Sequence, residues 1–181
     1  MNEGVAAWPL SLKVIHWASA GLVLAALCLG VYMVQLVHDP GQRFEPTQTH
    51  KSSGVAVLAL TVVRLCLRIM TTAPTPAPAA RSFLMAAEVA HIAFYVLLVA
   101  MPLSGWLMAT TTPVRVPTFV LGSFELPYPL MPDLPTYRLA HAVHVATAIL
   151  LAALIVVHIG AALAHALLWR DRTLKRMAWG R

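Results

Sequence analysis

Four apolar stretches dominate the chain, at roughly 14–37, 51–70, 86–110 and 139–169, and short polar or proline-rich segments separate them. Each is near or above the ~20 residues that an α-helix needs to cross about 30 Å of hydrocarbon. The pattern predicts an all-α integral membrane four-helix bundle with both termini on one side. It also predicts a single transmembrane domain over 1–181, because four spans leave too little chain for a separate soluble domain. Lys13 precedes the first stretch and Ala18, Ser19 and Ala20 are small, which imitates a signal peptide. The stretch is read as retained, since it is too long for an h-region and the small triplet stands at its start.

The connections differ in character. "HDPGQRFEPTQTH" carries Pro40, Gly41 and Pro46, which are expected to break helix and form a polar turn. "TTAPTPAPAAR" holds Pro74, Pro76 and Pro78 and reads as a stiff polyproline-like spacer. The third connection, 111–137, mixes Pro113, Pro117, Pro127, Pro129, Pro132 and Pro135 with Phe119, Phe124, Tyr128 and Tyr137. Its length and aromatic content suit either a lid folded back on the bundle or an aromatic belt at the membrane surface.

Composition agrees with the pattern: 59% of the 181 residues are hydrophobic and 11% are charged, against about a quarter charged in ordinary soluble domains. Charge then orients the bundle. Lys13, Arg64, Arg68, Arg81, Arg170, Arg172, Lys175, Arg176 and Arg181 fall on the side of the termini, with Glu3, Glu88 and Asp171. Arg43, Lys51, Arg115 and Arg138 fall on the other, balanced by Asp39, Glu45, Glu125 and Asp133. Positive charge gathers on the cytoplasmic side of membrane proteins, so both termini are expected inside. The net charge of +6 is thus a property of one membrane face, and no nucleic-acid partner is implied. Cys28 and Cys66 lie within spans, are expected to be buried small hydrophobes, and belong to no CxxCH motif for covalent haem attachment.

The candidate chemistry is histidine at membrane depth, where ionisable residues are costly and default to function. "HVATAILLAALIVVH" places His144 and His158 fourteen residues apart, which on a helix is within about 40° of one direction and ~21 Å along the axis. The fourth span starts from outside, so His144 is outer and His158 inner. His16 opens the first span from inside and His50 opens the second from outside. Depth therefore pairs His16 with His158 and His50 with His144. One imidazole from each side of a flat macrocycle, at each of two levels, is what two non-covalent b-type haems require. Hydrogen-bonded structural histidines are the rival reading. Zinc needs three or four converging ligands, and no HExxH motif is present.

Arg64, fourteen residues after His50, points inward at the inner level and suits either a haem propionate or snorkelling to headgroups; Arg68 is one turn further on. Lys51 stands beside His50 and suits either an anionic group of the outer haem or an anionic substrate. His38, His91, His141 and His165 are not assigned to iron, and no catalytic residue is named.

With these residues in view, the chain resembles the bacterial cytochrome b561 family, and within it most closely its superoxide-oxidising members. The resemblance rests on "IHW" at 15–17, "HKSSG" at 50–54, "VVRLCLR" at 62–68, "HIAFYVLLVAMPLSGW" at 91–106 and "HVATAILLAALIVVHIGAALAHALLW" at 144–169. It implies haem ligands at His16, His50, His144 and His158, an arginine role at Arg64, and a place in the bacterial inner membrane. It also implies electron transfer through two haems, with superoxide oxidised to O2 and ubiquinone reduced to ubiquinol. The alternative within the family is a cytochrome b subunit that links a dehydrogenase or hydrogenase partner to the quinone pool. An anion collector should be positive on its outer face, whereas that face carries as many acidic as basic residues.

Overall fold

The computed structural model describes residues 7–75, 80–171 and 173–178. Helix α1 spans Leu10–Gln35, α2 Phe44–Met70 after a single turn at Gly41–Arg43, α3 Arg81–Thr111 and α4 Leu134–Ala164, extended by a π-helical turn His165–Trp169. Among the described residues these four are long and apolar enough to cross a membrane. Large apolar side chains such as Val31, Ile69, Val96, Ile149 and Val156 cover the outside. A helix that is apolar all round belongs in lipid.

Every helix begins four to seven residues before its apolar stretch. Hydrophobicity marks the hydrocarbon layer, whereas backbone hydrogen bonding continues the helix into the headgroups. Pro46, expected to break helix, lies in the first turn of α2. There the first N–H groups have no acceptor within the helix, so a missing one costs little. Pro135 does the same in α4, behind the Asp133 carboxylate that caps the Thr136 N–H at 2.9 Å. Cys28 and Cys66, expected to be buried, are exposed on the bundle surface. On a helix without a polar face the sequence holds no sign of which side looks inward. Pro76, Pro78, Glu3, Arg172 and Arg181 lie outside the described residues.

Neighbours in sequence are neighbours in space: α1 packs on α2, α2 on α3 and α3 on α4. Among the described residues α4 makes no comparable backbone approach to α1 or α2. The inward faces form a ladder. Seven residues return a helix to within about 20° of its starting direction, and each helix carries three rungs at that spacing. They are His16, Val23 and Gly30 on α1; His50, Val57 and Arg64 on α2; His91, Leu98 and Gly105 on α3; and His144, Leu151 and His158 on α4. The middle rungs Val23, Val57, Leu98 and Leu151 form the buried core cluster, flanked by Leu22, Leu27, Phe94, Leu97 and Ile155. An apolar layer thus separates two levels, one near the termini and one near the opposite end.

At that opposite end the connection between α3 and α4 folds into a hairpin, β1 (Phe119–Val120) against β2 (Phe124–Glu125), antiparallel with Val120 opposite Phe124. Buried Gln48 of α2 clasps it twice, donating to the Pro117 carbonyl at 2.7 Å and accepting from the Phe119 N–H at 2.9 Å. Ser52 donates to the Phe119 carbonyl at 2.9 Å and Lys51 to the Val116 carbonyl at 3.4 Å. At the termini end the Trp17 indole and the Lys13 ammonium donate to the Met177 and Ala178 carbonyls, at 2.9 and 3.1 Å, which draws the C-terminal segment across α1.

Candidate functional site

His50 and His144 meet at the hairpin end with ring centres 6.1 Å apart. His16 and His158 meet at the termini end at 6.3 Å. Two imidazoles that bind one metal atom from opposite sides, with metal–nitrogen bonds of about 2 Å, have ring centres roughly 6 Å apart. Both pairs have that spacing. No group of three or more metal-ligating side chains of the kind a zinc site needs is found among the described residues.

The hairpin-end rings are held by the backbone of the facing helices. His50 Nδ1 lies 3.0 Å from the Ala26 carbonyl of α1, and His144 Nδ1 lies 3.1 Å from the Met101 carbonyl of α3. A carbonyl can only accept, so each Nδ1 carries the proton and each Nε2 keeps its lone pair for a ligand bond. Ser104 completes the second contact, with its Oγ 3.1 Å from His144 Nδ1 while it donates to the Met101 carbonyl at 2.8 Å.

Two glycines make this approach possible. A Cβ at Gly30 would stand 3.4 Å from His50 Cε1, and one at Gly105 would stand 3.2 Å from His144 Cε1 and 3.4 Å from its Nδ1. Each glycine follows the accepting carbonyl by four residues, Ala26 to Gly30 and Met101 to Gly105, so the ring lies where the side chain of that turn would be. Gly105→Leu is therefore expected to displace the His144 ring and to remove one haem per chain. Gly21→Leu, where a Cβ meets nothing within 4 Å, should leave the haem content unchanged. Equal haem content in the two variants, by pyridine haemochrome assay, would count against the cradle.

A narrow cleft leads from the hairpin-end pair toward the bundle centre, lined by all four helices through Val23, Ala26, Leu27, Gly54, Val57, Leu98, Met101, Pro102 and Leu151. Apart from the two histidines its lining is apolar. The absence of close backbone packing between α4 and both α1 and α2 among the described residues, with opposed imidazoles and glycine cradles, fits a porphyrin plate.

The termini-end level is built differently. His16 Nδ1 is buried and has no hydrogen-bond partner among the described residues. Here α1 supplies His16 where it has Gly30 at the other level, and the two rungs beside the histidine pair, glycines there, are Arg64 on α2 and His91 on α3. Arg64 lies within electrostatic reach of His16, His91 and His158, and its guanidinium stands 5.9 Å over the Tyr95 ring. His91 is 6.4 Å from the His158 ring, about as far as His16, and Phe94 packs edge-on against His158 at 5.2 Å. Arg68 turns away, 4.9 Å over the Trp8 ring.

Of the residues singled out in the sequence, the structure brings His16, His158 and Arg64 together at one end and His50 with His144 at the other. Lys51 sits beside the second pair with its ammonium directed at the hairpin connection. His141 stacks on Tyr137 and His165 pairs with Asp171 at 2.5 Å. Just beyond α4, burial works to raise the Asp171 carboxyl, but hydrogen bonds from Thr173 and His165 outweigh it and hold the group down to about 2. His91, left unassigned to iron in the sequence, stands at the termini-end level, and Ser104, Gly30 and Gly105 were not singled out. The fourteen-residue step that links His50 to Arg64 also links His16 to Gly30 and His91 to Gly105, and it is the signal that finds the two glycines.

Residues 7–180 match the family described as Prokaryotic cytochrome b561. A similar protein is "Cytochrome b561 homolog 2" of Escherichia coli (strain K12), 34% identical over 163 residues, which cover 90% of this chain and 86% of that protein.

Proposed function

The chain belongs to the prokaryotic cytochrome b561 family of b-haem membrane electron carriers, and from that premise we propose that it holds two haems and oxidises superoxide to reduce ubiquinone. The observation that carries the two-haem reading is the recurrence of one opposed histidine pair, at the spacing of a single iron, at two levels fourteen residues apart on α4.

His50 and His144 would hold the hairpin-end haem, and His16 and His158 the termini-end haem. Bound haem would supply the one-electron redox chemistry. The chain's own residues set the conditions. The Ala26 and Met101 carbonyls fix the ligating tautomers at one level. The buried layer of Val23, Val57, Leu98 and Leu151 places apolar side chains between the levels. Arg64 offers a guanidinium to a propionate, and Lys51 with Arg115 offers positive charge at the hairpin end to an arriving anion. With the excess of Lys and Arg on the termini side, the hairpin end faces outward.

The reaction balances as two superoxide anions giving two O2 and two electrons, with ubiquinone taking those electrons and two protons to become ubiquinol. Detergent-purified protein is expected to contain two b haems per chain and to be reduced by superoxide alone. Reduction by quinol but not by superoxide would refute the superoxide reading and leave a carrier that depends on a protein partner.

A further inference from the structure

The two histidine levels share one ladder but have different neighbours. At the hairpin end both ligand rings donate Nδ1–H to backbone carbonyls, Ala26 and Met101, and the remaining rungs are glycines. A ring that donates in this way is a more basic ligand, which favours ferric over ferrous iron. Lys51 contributes less there, because its ammonium reaches the Val116 carbonyl of the surface connection, where solvent screens it more than it screens a charge inside the bundle. At the termini end His16 Nδ1 has no acceptor among the described residues, and a rung is occupied by the Arg64 cation. A positive charge in a low-dielectric bundle favours the state with one more electron. Both differences act in the same direction.

We infer that the haem at the hairpin end has the lower potential of the two, its potential set by the Ala26 and Met101 carbonyls with Ser104, while Arg64 raises the one at the termini end. This rests on the two-haem reading above. With haem bound at both pairs, these residues would make electron passage from the hairpin end to the termini end downhill. The fold is polarised for donors on the hairpin side and acceptors on the termini side. Ser104 and Arg64 are positioning residues here, acting through the ligands and the local field.

The test is an equilibrium redox titration of the purified holoprotein, followed optically, beside the same titration of Ser104→Ala, Arg64→Gln and Arg64→Lys. Two one-electron steps are expected, separated by at least about tenfold in the reduced-to-oxidised ratio, ~59 mV. Arg64→Gln should lower the upper step alone, Arg64→Lys should restore it, and Ser104→Ala should shift the lower step alone. Movement of the lower step by Arg64→Gln, movement of the upper by Ser104→Ala, or no movement by either variant overturns the order inferred here. A haem count of one per chain, measured on the same samples, instead overturns the two-haem reading and the inference with it.

Discussion

His144→Ala is expected to reduce the haem content of the purified protein from two per chain to one, and His158→Ala to do the same at the opposite end. The two remaining haems should differ in spectrum and potential, and the double variant should be colourless. The loss should be complete at each level because each α4 histidine is common to every opposed pair at its level. His144 faces His50 alone, while His158 is the ring that both His16 and His91 approach, at 6.3 and 6.4 Å. His158→Ala therefore removes the termini-end site whichever of the two is its partner. His16→Ala against His91→Ala then identifies that partner. If the proposed reaction holds, electron transfer from superoxide to quinone should fall to background in every variant that lacks one haem, since the apolar layer between levels offers no other carrier. A pyridine haemochrome count of two in either single variant would refute the ligand assignment.

Gln48→Leu is expected to release the hairpin connection from α2. Gln48 is 8% exposed, and both ends of its amide are bonded to that connection. Leucine is of similar size but leaves the Pro117 carbonyl and the Phe119 N–H without partners, at a cost of about 1–3 kcal/mol for each group that stays buried. The connection escapes the cost by opening to water. Hydrogen exchange at 112–133 should rise by roughly tenfold or more, since every 1.4 kcal/mol is tenfold, with the haem count unchanged. Unaltered protection there would mean that Ser52, Lys51 and the Tyr128 hydroxyl, which donates to the Val116 carbonyl at 2.6 Å, hold the connection without Gln48.

The bundle, its four spans and the pairing of histidines by depth were legible because each depends on a one-dimensional quantity. Hydrocarbon thickness sets the length of an apolar stretch, and fourteen residues set a depth difference along a helix. The same arithmetic reaches Gly30 and Gly105, although nothing in an isolated glycine says that an imidazole lies over it. Pro46 and Pro135 were misleading for a related reason. A proline stops a helix or starts one depending on whether its N–H would have had an acceptor, and that depends on where the first turn lies.

Depth and direction along each helix, and so the levels at which His16, His50, His144 and His158 lie, were determined by the sequence alone. Rotation about each helix axis was not, because a span surrounded by lipid is apolar on every side and Cys28 is as comfortable outward as inward. Tertiary packing decided it. That packing placed the Ala26 and Met101 carbonyls against one pair of rings, left His16 Nδ1 without an acceptor, and brought Arg64 and His91 to the level where the other has glycines. Those neighbours come from other helices, and contacts between helices follow from how the faces meet.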